Sequence, residues 1–227
     1  MLNDLIEAFR DKIDINDFFS YLNFEMVKEE LISSKSNIIF LLGAPGIGKS
    51  YMLALLKAKY PQSYVLQKAP FLSKEEFLET HKDLENKTVL IDEAQLLSLE
   101  MIEFLRILSD EGNRIILSMH EKEGEEIASL PQFNSRYTQK IYMKPLTKEE
   151  FEKYVMSKFI EKRRFDLIDK KGIKKIYKFS KGNFRLSKKF VFTCLNLLNY
   201  SFNNSLKYTK IDNCIIEMSA IELGLLK

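Results

Sequence analysis

Eight consecutive residues, Gly43 to Ser50 (GAPGIGKS), have the types and spacing of a loop that binds phosphate groups. They match G-x-x-x-x-G-K-[S/T], in which glycines let backbone N–H groups turn toward phosphate oxygens. We expect Lys49 to neutralise the β- and γ-phosphates and the Ser50 hydroxyl to coordinate Mg²⁺. The candidate ATP contacts are the whole loop and the residue after it: Gly43, Ala44, Pro45, Gly46, Ile47, Gly48, Lys49, Ser50 and Tyr51.

Two acids, Asp92 and Glu93, follow a short apolar run about 40 residues after this loop. Acids at the end of a buried parallel strand emerge at the carboxyl edge of the sheet, where α/β folds bind ligands. Asp92 is therefore our candidate for holding Mg²⁺, directly or through water, and Glu93 for orienting and activating the attacking water. The alternative is a pair of solvated loop acids.

Four other residues are weaker candidates. His120 follows a predicted strand at the point where many P-loop ATPases place a polar residue near the γ-phosphate, and Ser118 is the second choice for that position. Arg136 and Arg185 are either surface arginines or arginines aimed at phosphate, and spacing alone does not choose between these.

Short apolar runs and helical patterns alternate through the middle of the chain. Runs of this length, bounded by Gly, Pro and polar residues, indicate buried parallel strands covered by helices. The predicted strands are 37–42, 63–67, 87–91, 114–119 and 140–143, and the predicted helices between them are 50–60, 74–81 and 99–108.

The pattern becomes all helical after Pro145, with helices predicted at 147–163, 167–179, 183–199 and 212–223. The residues from Thr147 to Glu150 have the form of a capping box, which marks the start of the first. We therefore predict an α/β fold with three parts: a helical segment at 1–36 that packs on the core, an ATPase core with a five-stranded parallel sheet at 37–145, and a small helical lid at 146–227.

Charge is unevenly distributed along the 227 residues. Residues 148–189 contain 15 Lys and Arg against 6 Asp and Glu, whereas the whole chain has 35 against 32. A basic C-terminal third favours an anionic partner such as nucleic acid, lipid headgroups or ATP itself. The alternative is that these lysines are ordinary solvated faces.

Hydropathy and cysteine usage bear on the compartment. The sequence contains nothing close to the roughly 20 apolar residues needed to cross a bilayer, and the first ten residues mix Asp4, Glu7 and Arg10 with apolar residues. Cys194 and Cys214 lack CxxC spacing and are expected to be reduced, packed thiols. We expect a cytoplasmic protein whose membrane association, if any, is peripheral at the inner membrane.

Together these residues resemble the AAA+ ATPases, and within them the group of the general secretion pathway protein A (ExeA type) and the TniB-type transposition ATPases. The resemblance covers the chain from about residue 20 onward. It rests on six stretches: GAPGIGKS, LIDEAQLLSLEMIEFLRIL, NSR at 134–136, PLTKEEFEKYV, IYKFSKGNFRLS and IDNCIIEMSAIELGL.

The resemblance implies roles for the weaker candidates. Arg136 would be the arginine finger that serves the ATP of a neighbouring subunit in a homo-oligomer, Arg185 the sensor arginine of the lid, and His120 the first sensor. The sequence departs from the group at His120, where Asn, Thr or Gln is usual, and at Phe184, where Pro is common. The transmembrane helix and peptidoglycan-binding extension of longer ExeA-type proteins have no counterpart here, so a direct role in the cell wall is not implied.

The leading functional hypothesis is an oligomeric ATPase that hydrolyses ATP to drive or assemble a secretion, type IV pilus or DNA-uptake machine, with proteins of that machinery as partners. One alternative is a DNA-binding ATPase that regulates transposition, and another is a non-hydrolysing nucleotide switch or scaffold. In the DNA-binding alternative a basic lid contacts phosphates through Lys170, Lys171, Lys174, Lys175, Lys188 and Lys189. A DEAD-type helicase is disfavoured, since it needs a second sheet domain where this chain is predicted to be helical.

Overall fold

The structure is a computed structural model that describes residues 2–16, 19–71, 73–134 and 137–226. The chain divides into two compact units. The sheet unit is Asp14–Lys144, and the helical unit combines Met1–Ile13 with Pro145–Lys227. The segment expected at 1–36 is thereby divided, because its first helix, α1 (Asn3–Ala8), lies in the helical unit and its second, α2 (Leu22–Ser33), in the sheet unit.

The sheet has five parallel strands in the order β2-β3-β4-β1-β5. All five residues of β1 are buried, as expected for a central strand covered on both faces. This arrangement confirms the predicted five-stranded parallel sheet with flanking helices. The strands are β1 (Ile38–Leu42), β2 (Tyr64–Lys68), β3 (Thr88–Asp92), β4 (Arg114–Met119) and β5 (Thr138–Tyr142).

Helices alternate with these strands. Ser73 and Ser98 begin two of them by accepting hydrogen bonds from backbone N–H groups three residues on, at 3.2 Å in each case. The helices that follow α2 in this unit are α3 (Lys49–Lys59), α4 (Lys74–Thr80), α5 (Leu99–Asp110), α6 (Glu121–Ala128) and α7 (Pro131–Asn134). The last two were not predicted from the sequence.

The helical unit contains α1 and four longer helices. The expected capping box is present: Thr147 Oγ1 accepts from Glu150 N at 3.2 Å, and Glu150 Oε2 accepts from Thr147 N at 2.8 Å. Phe9, just after α1, is fully buried against the rings of Tyr154 and Phe159. The four helices are α8 (Lys148–Glu161), α9 (Lys170–Ser180), α10 (Phe184–Asn203) and α11 (Asn213–Glu222).

The two cysteines lie in different surroundings within this unit. Cys194 is fully buried, and burial raises the pKa of its thiol to about 12. Cys214 is exposed, so the expectation of two packed thiols is right for Cys194 and wrong for Cys214. Throughout the described part of the chain, no helix combines the length and apolar character that crossing a membrane requires.

Candidate functional site

The predicted phosphate loop connects β1 to α3. Gly46 and Gly48 have φ angles of +77° and +109°, a region of backbone conformation that glycine adopts at little cost. At Gly43 an added Cβ would lie 2.8 Å from the Met143 carbonyl oxygen and 2.4 Å from Ile47 Cδ1. The loop therefore needs glycine at these three positions for conformational or steric reasons, which agrees with the sequence pattern.

Lys49 is the first residue of α3 and is almost completely buried. Its ammonium group donates hydrogen bonds to the carbonyl oxygens of Gly43 at 2.7 Å and Ala44 at 3.1 Å, which holds the positive charge within the loop. Ser50 and Tyr51 complete the first turn, where backbone N–H groups have no acceptor within the helix. A buried cation beside a helix N-terminus makes this a favourable position for phosphate.

Asp92 is the last residue of β3 and is only 8% exposed. Its Oδ1 accepts a hydrogen bond at 3.1 Å from the hydroxyl of Ser118, which is fully buried in the neighbouring strand β4. Ser118 was the second candidate for the first sensor, and the structure shows it bonded to Asp92. The hydroxyl holds one carboxylate oxygen in place.

The donor set fits a magnesium ion that is bound together with nucleotide. Such an ion uses one or two protein oxygens and completes its octahedron with phosphate oxygens and water. Among the described residues, no three or more His, Cys, Asp or Glu side chains gather into a metal centre of their own. The Ser50 hydroxyl and the Asp92 carboxylate match the smaller requirement.

Glu93 has a left-handed backbone, with φ +55°, which costs a non-glycine residue about 1–3 kcal/mol and is concentrated at functional sites. Its Oε2 lies 3.7 Å from Nε2 of His120, which follows β4. The same oxygen accepts a hydrogen bond at 2.5 Å from the side-chain amide of Gln95. Two side chains thus meet one oxygen of the predicted catalytic carboxylate.

Sequence reasoning did not identify Gln95 as part of the site. Its other side-chain atom, Oε1, is buried and has no hydrogen-bond partner within the described residues. The available signal was its place two residues after Glu93, in the short 3₁₀ turn Ala94–Leu96. That spacing lets the amide reach back to the carboxylate.

An aromatic group beside the phosphate loop was also missed. The Tyr21 hydroxyl donates to the Ile47 carbonyl oxygen at 3.4 Å, which connects the segment before α2 to the loop. The ring centroids of Tyr21 and Phe24 lie 5.6 Å apart, and those of Phe24 and Tyr51 lie 6.1 Å apart. The sequence shows the aromatic residues but not their place next to the loop.

Strand order explains how these residues meet. β4 lies between β1 and β3, and Leu42 pairs with Met119 while Ile91 pairs with Leu117, so the three strands end at one edge. Since neighbouring strands lie about 4.8 Å apart, the ends of β1 and β3 are separated by about 10 Å. The phosphate loop, His120 and the acid pair therefore occupy one edge of the sheet.

Of the two predicted arginines, the structure describes only Arg185. Arg136 lies outside the described residues, and its role stays a prediction. Arg185 is in the first turn of α10 in the helical unit, where its Nε lies 3.5 Å from Oδ2 of Asp11. Both side chains of this pair are more than half exposed, so the pair contributes little stability.

No protein-family model matches the sequence, and no curated protein matches it. Solved structures do match. RuvB of Thermotoga maritima, described as a Holliday junction branch migration motor, has a TM-score of 0.66 and 15% identity, over 95% of this chain and 73% of RuvB. A Walker-type ATPase of Pyrococcus abyssi has a TM-score of 0.66 and 16% identity, over 96% and 77%. Orc1 of Aeropyrum pernix, in complex with DNA, has a TM-score of 0.70 and 11% identity, over 96% and 69%.

The chain has the AAA+ fold. The similarity of the sheet with its flanking helices and helical C-terminal part to RuvB and Orc1 confirms the predicted fold class. At identities of 11–16% it concerns the fold alone. The ExeA and TniB group named by the sequence resemblance therefore stays a prediction.

Proposed function

We propose that this protein binds ATP with Mg²⁺ and hydrolyses it at the edge formed by β1, β4 and β3. The observation that supports this most strongly is the contact geometry of Glu93. Its carboxylate meets Gln95 and His120 at the sheet edge that also carries the complete phosphate loop. An ATP hydrolase needs a positioned base at this edge, whereas a non-hydrolysing nucleotide switch does not.

Each side chain has a distinct part in the proposed reaction. Lys49 and the first turn of α3 bind the phosphates, and Tyr51 lies in the aromatic group beside the loop, where a purine ring can pack. Ser50 and Asp92 would hold Mg²⁺, which neutralises phosphate charge when bound. Ser118 keeps Asp92 in position.

Glu93 would orient a water molecule in line with the γ-phosphate and accept its proton. The amide of Gln95 fixes the carboxylate, so that one oxygen is held and the other can face the water. His120 Nε2, 3.7 Å from Glu93, is placed to contact the water or the γ-phosphate from the neighbouring strand. This is the role expected of a first sensor.

Phosphate release from the purified protein tests this proposal directly. Glu93→Gln should retain ATP binding and reduce turnover by about 100-fold or more, because a general base contributes roughly 10²–10⁴-fold. Lys49→Ala should weaken ATP binding itself. If Glu93→Gln released phosphate at the wild-type rate, or the wild type released none, the non-hydrolysing switch would be the better description.

We also propose a homo-oligomer in which Arg136 completes the ATP site of a neighbouring subunit and Arg185 senses the nucleotide of its own. Arg136→Ala should then lose hydrolysis and keep ATP binding. Mixing it with Lys49→Ala should restore part of the activity, because Lys49→Ala subunits still supply the arginine. Weakened ATP binding by Arg136→Ala would instead indicate a role within its own subunit.

The work driven by hydrolysis has two candidate descriptions. The motif resemblance supports a secretion, type IV pilus or DNA-uptake machine. DNA-directed work is supported by the fold of RuvB, a branch migration motor, and of Orc1, solved with DNA, together with the basic character of residues 148–189. Neighbouring secretion, pilus or competence genes would favour the first description, and neighbouring transposase genes the second.

A further inference from the structure

Helix α9 presents an exposed face made of lysine alone. Its exposed residues are Lys170, Lys171, Lys174 and Lys178, and another exposed lysine, Lys181, follows directly as the C-cap. At 100° and 1.5 Å per residue, Lys171, Lys174, Lys178 and Lys181 lie within an arc of about 80° over a length of about 15 Å. We refer to these four residues as the lysine stripe.

Acidic side chains neutralise the lysines at the margins and leave the stripe itself charged. The Nζ of Lys170 lies 3.2 Å from Oε1 of Glu152, and the Nζ of Lys175 lies 2.7 Å from Oε1 of Glu217. Within the described residues, no acidic side chain forms an ion pair with a lysine of the stripe. Two of the lysines first considered for contact with DNA, Lys170 and Lys175, are therefore engaged, and a third, Lys188, is buried.

The stripe is held on a rigid support. Asp169 begins α9 by accepting a hydrogen bond from Gly172 N at 2.7 Å, and Ile173 and Ile176 are buried on the opposite face. At the other end, Gly182 has φ +75°, and its carbonyl oxygen accepts from Leu146 N at 2.9 Å. The lysine backbone positions are thus fixed before any partner binds.

The aromatic residues of α9 are turned toward the interior. The ring centroid of Tyr177 lies 5.7 Å from that of Phe151, and Phe179 stacks on Phe190 with ring centroids 5.5 Å apart. Single-stranded nucleic acid is bound through exposed aromatic rings, and a helix at a lipid surface inserts apolar residues. The exposed face of α9 offers neither, and offers positive charge at regular spacing.

We infer that the lysine stripe binds the phosphate backbone of double-stranded DNA without reading its base sequence. Duplex DNA carries one negative charge per about 1.7 Å of its axis, so a rigid row of four cations can be matched by phosphates in any sequence. This inference rests on the DNA-directed function proposed above and is independent of ATP hydrolysis.

The test measures the fluorescence anisotropy of a fluorescently labelled 30-base-pair DNA duplex of arbitrary sequence. The duplex is titrated with protein at salt concentrations between 50 and 200 mM. The stripe variant carries Lys→Gln at all four stripe positions. A matched control carries the same change in charge at four other exposed lysines, namely Lys35, Lys82, Lys122 and Lys210. ATP turnover and thermal unfolding, measured on the same preparations, should be unchanged in both variants.

Four phosphate contacts contribute about −3.6 to the slope of log K against log salt, or on the order of 100-fold in affinity over this range. The stripe variant should lose that contribution, and the control should keep it. Equal losses in the two variants, or none in the stripe variant, would overturn the assignment of the stripe while leaving DNA binding intact. If the wild type ignored DNA at 50 mM salt but bound vesicles containing phosphatidylserine, the DNA-directed function would fail as well.

Discussion

Replacing Ser118 with alanine removes the hydroxyl that donates a hydrogen bond to Asp92 at 3.1 Å. Both residues are buried, so water cannot readily take the place of the lost donor. Removing a group that orients a metal ligand typically costs about 10–100-fold in metal affinity or activity. We therefore expect Ser118→Ala to raise the Mg²⁺ concentration needed for half-maximal ATP hydrolysis by about 10–100-fold.

The assay is steady-state phosphate release at saturating ATP over a Mg²⁺ titration. Ser109→Ala is a suitable control, because Ser109 is equally buried and its hydroxyl donates to the Arg106 carbonyl oxygen at 2.6 Å, on α5. The control should keep the wild-type Mg²⁺ dependence. A wild-type Mg²⁺ dependence in Ser118→Ala would refute the idea that Ser118 positions Asp92 for the metal.

Three other expectations concern separate parts of the chain. Gln95→Leu removes the donor to Glu93 and should lower kcat by about 10–100-fold with little change in KM for ATP, as expected for losing a hydrogen bond to a charged group. Gly182→Ala should lower the free energy of unfolding in urea by more than Gly224→Ala does. Gly224→Ala costs about 1–2 kcal/mol from its positive φ alone, whereas at Gly182 the added Cβ would also lie 2.0 Å from the Leu146 carbonyl oxygen. A thiol reagent should modify one cysteine per native chain rapidly, and Cys214→Ser should abolish that reaction.

The sheet was largely predictable because its three inner strands, β1, β3 and β4, are almost entirely buried. Such strands appear in the sequence as continuous apolar runs between turn residues. The run predicted at 114–119 corresponds to β4, Arg114–Met119, and the other strands begin and end within about two residues of their predictions, the usual accuracy of such boundaries.

Helix α6 could not be predicted from local pattern, since it is mostly charged and contains Gly124. The structure supplies the reason for the glycine: a Cβ there would lie 2.2 Å from Cδ2 of Leu42, so its absence lets α6 approach the end of β1. The division of 1–36 was similarly hidden. Phe9 packs on Tyr154, a partner almost 150 residues away for which the local sequence carries no signal.

At the site too, some features were predictable from the local sequence and others depend on the fold. Motif spacing was enough to predict the phosphate loop and the acid pair as candidates. The bond from Ser118 to Asp92 depends on which strands are neighbours, and the contact of Gln95 with Glu93 forms in a 3₁₀ turn that follows a left-handed residue. Neither property can be read from residue types alone.

The most direct test of the proposed site is a crystal structure of Glu93→Gln grown with ATP and Mg²⁺. We predict that the triphosphate lies in the loop Gly43 to Ser50, with Lys49 on its β- and γ-phosphates. Mg²⁺ should contact the Ser50 hydroxyl and lie on the Asp92 side of the phosphates. Nucleotide bound elsewhere, or bound in the loop with its metal away from both Ser50 and Asp92, would contradict the account.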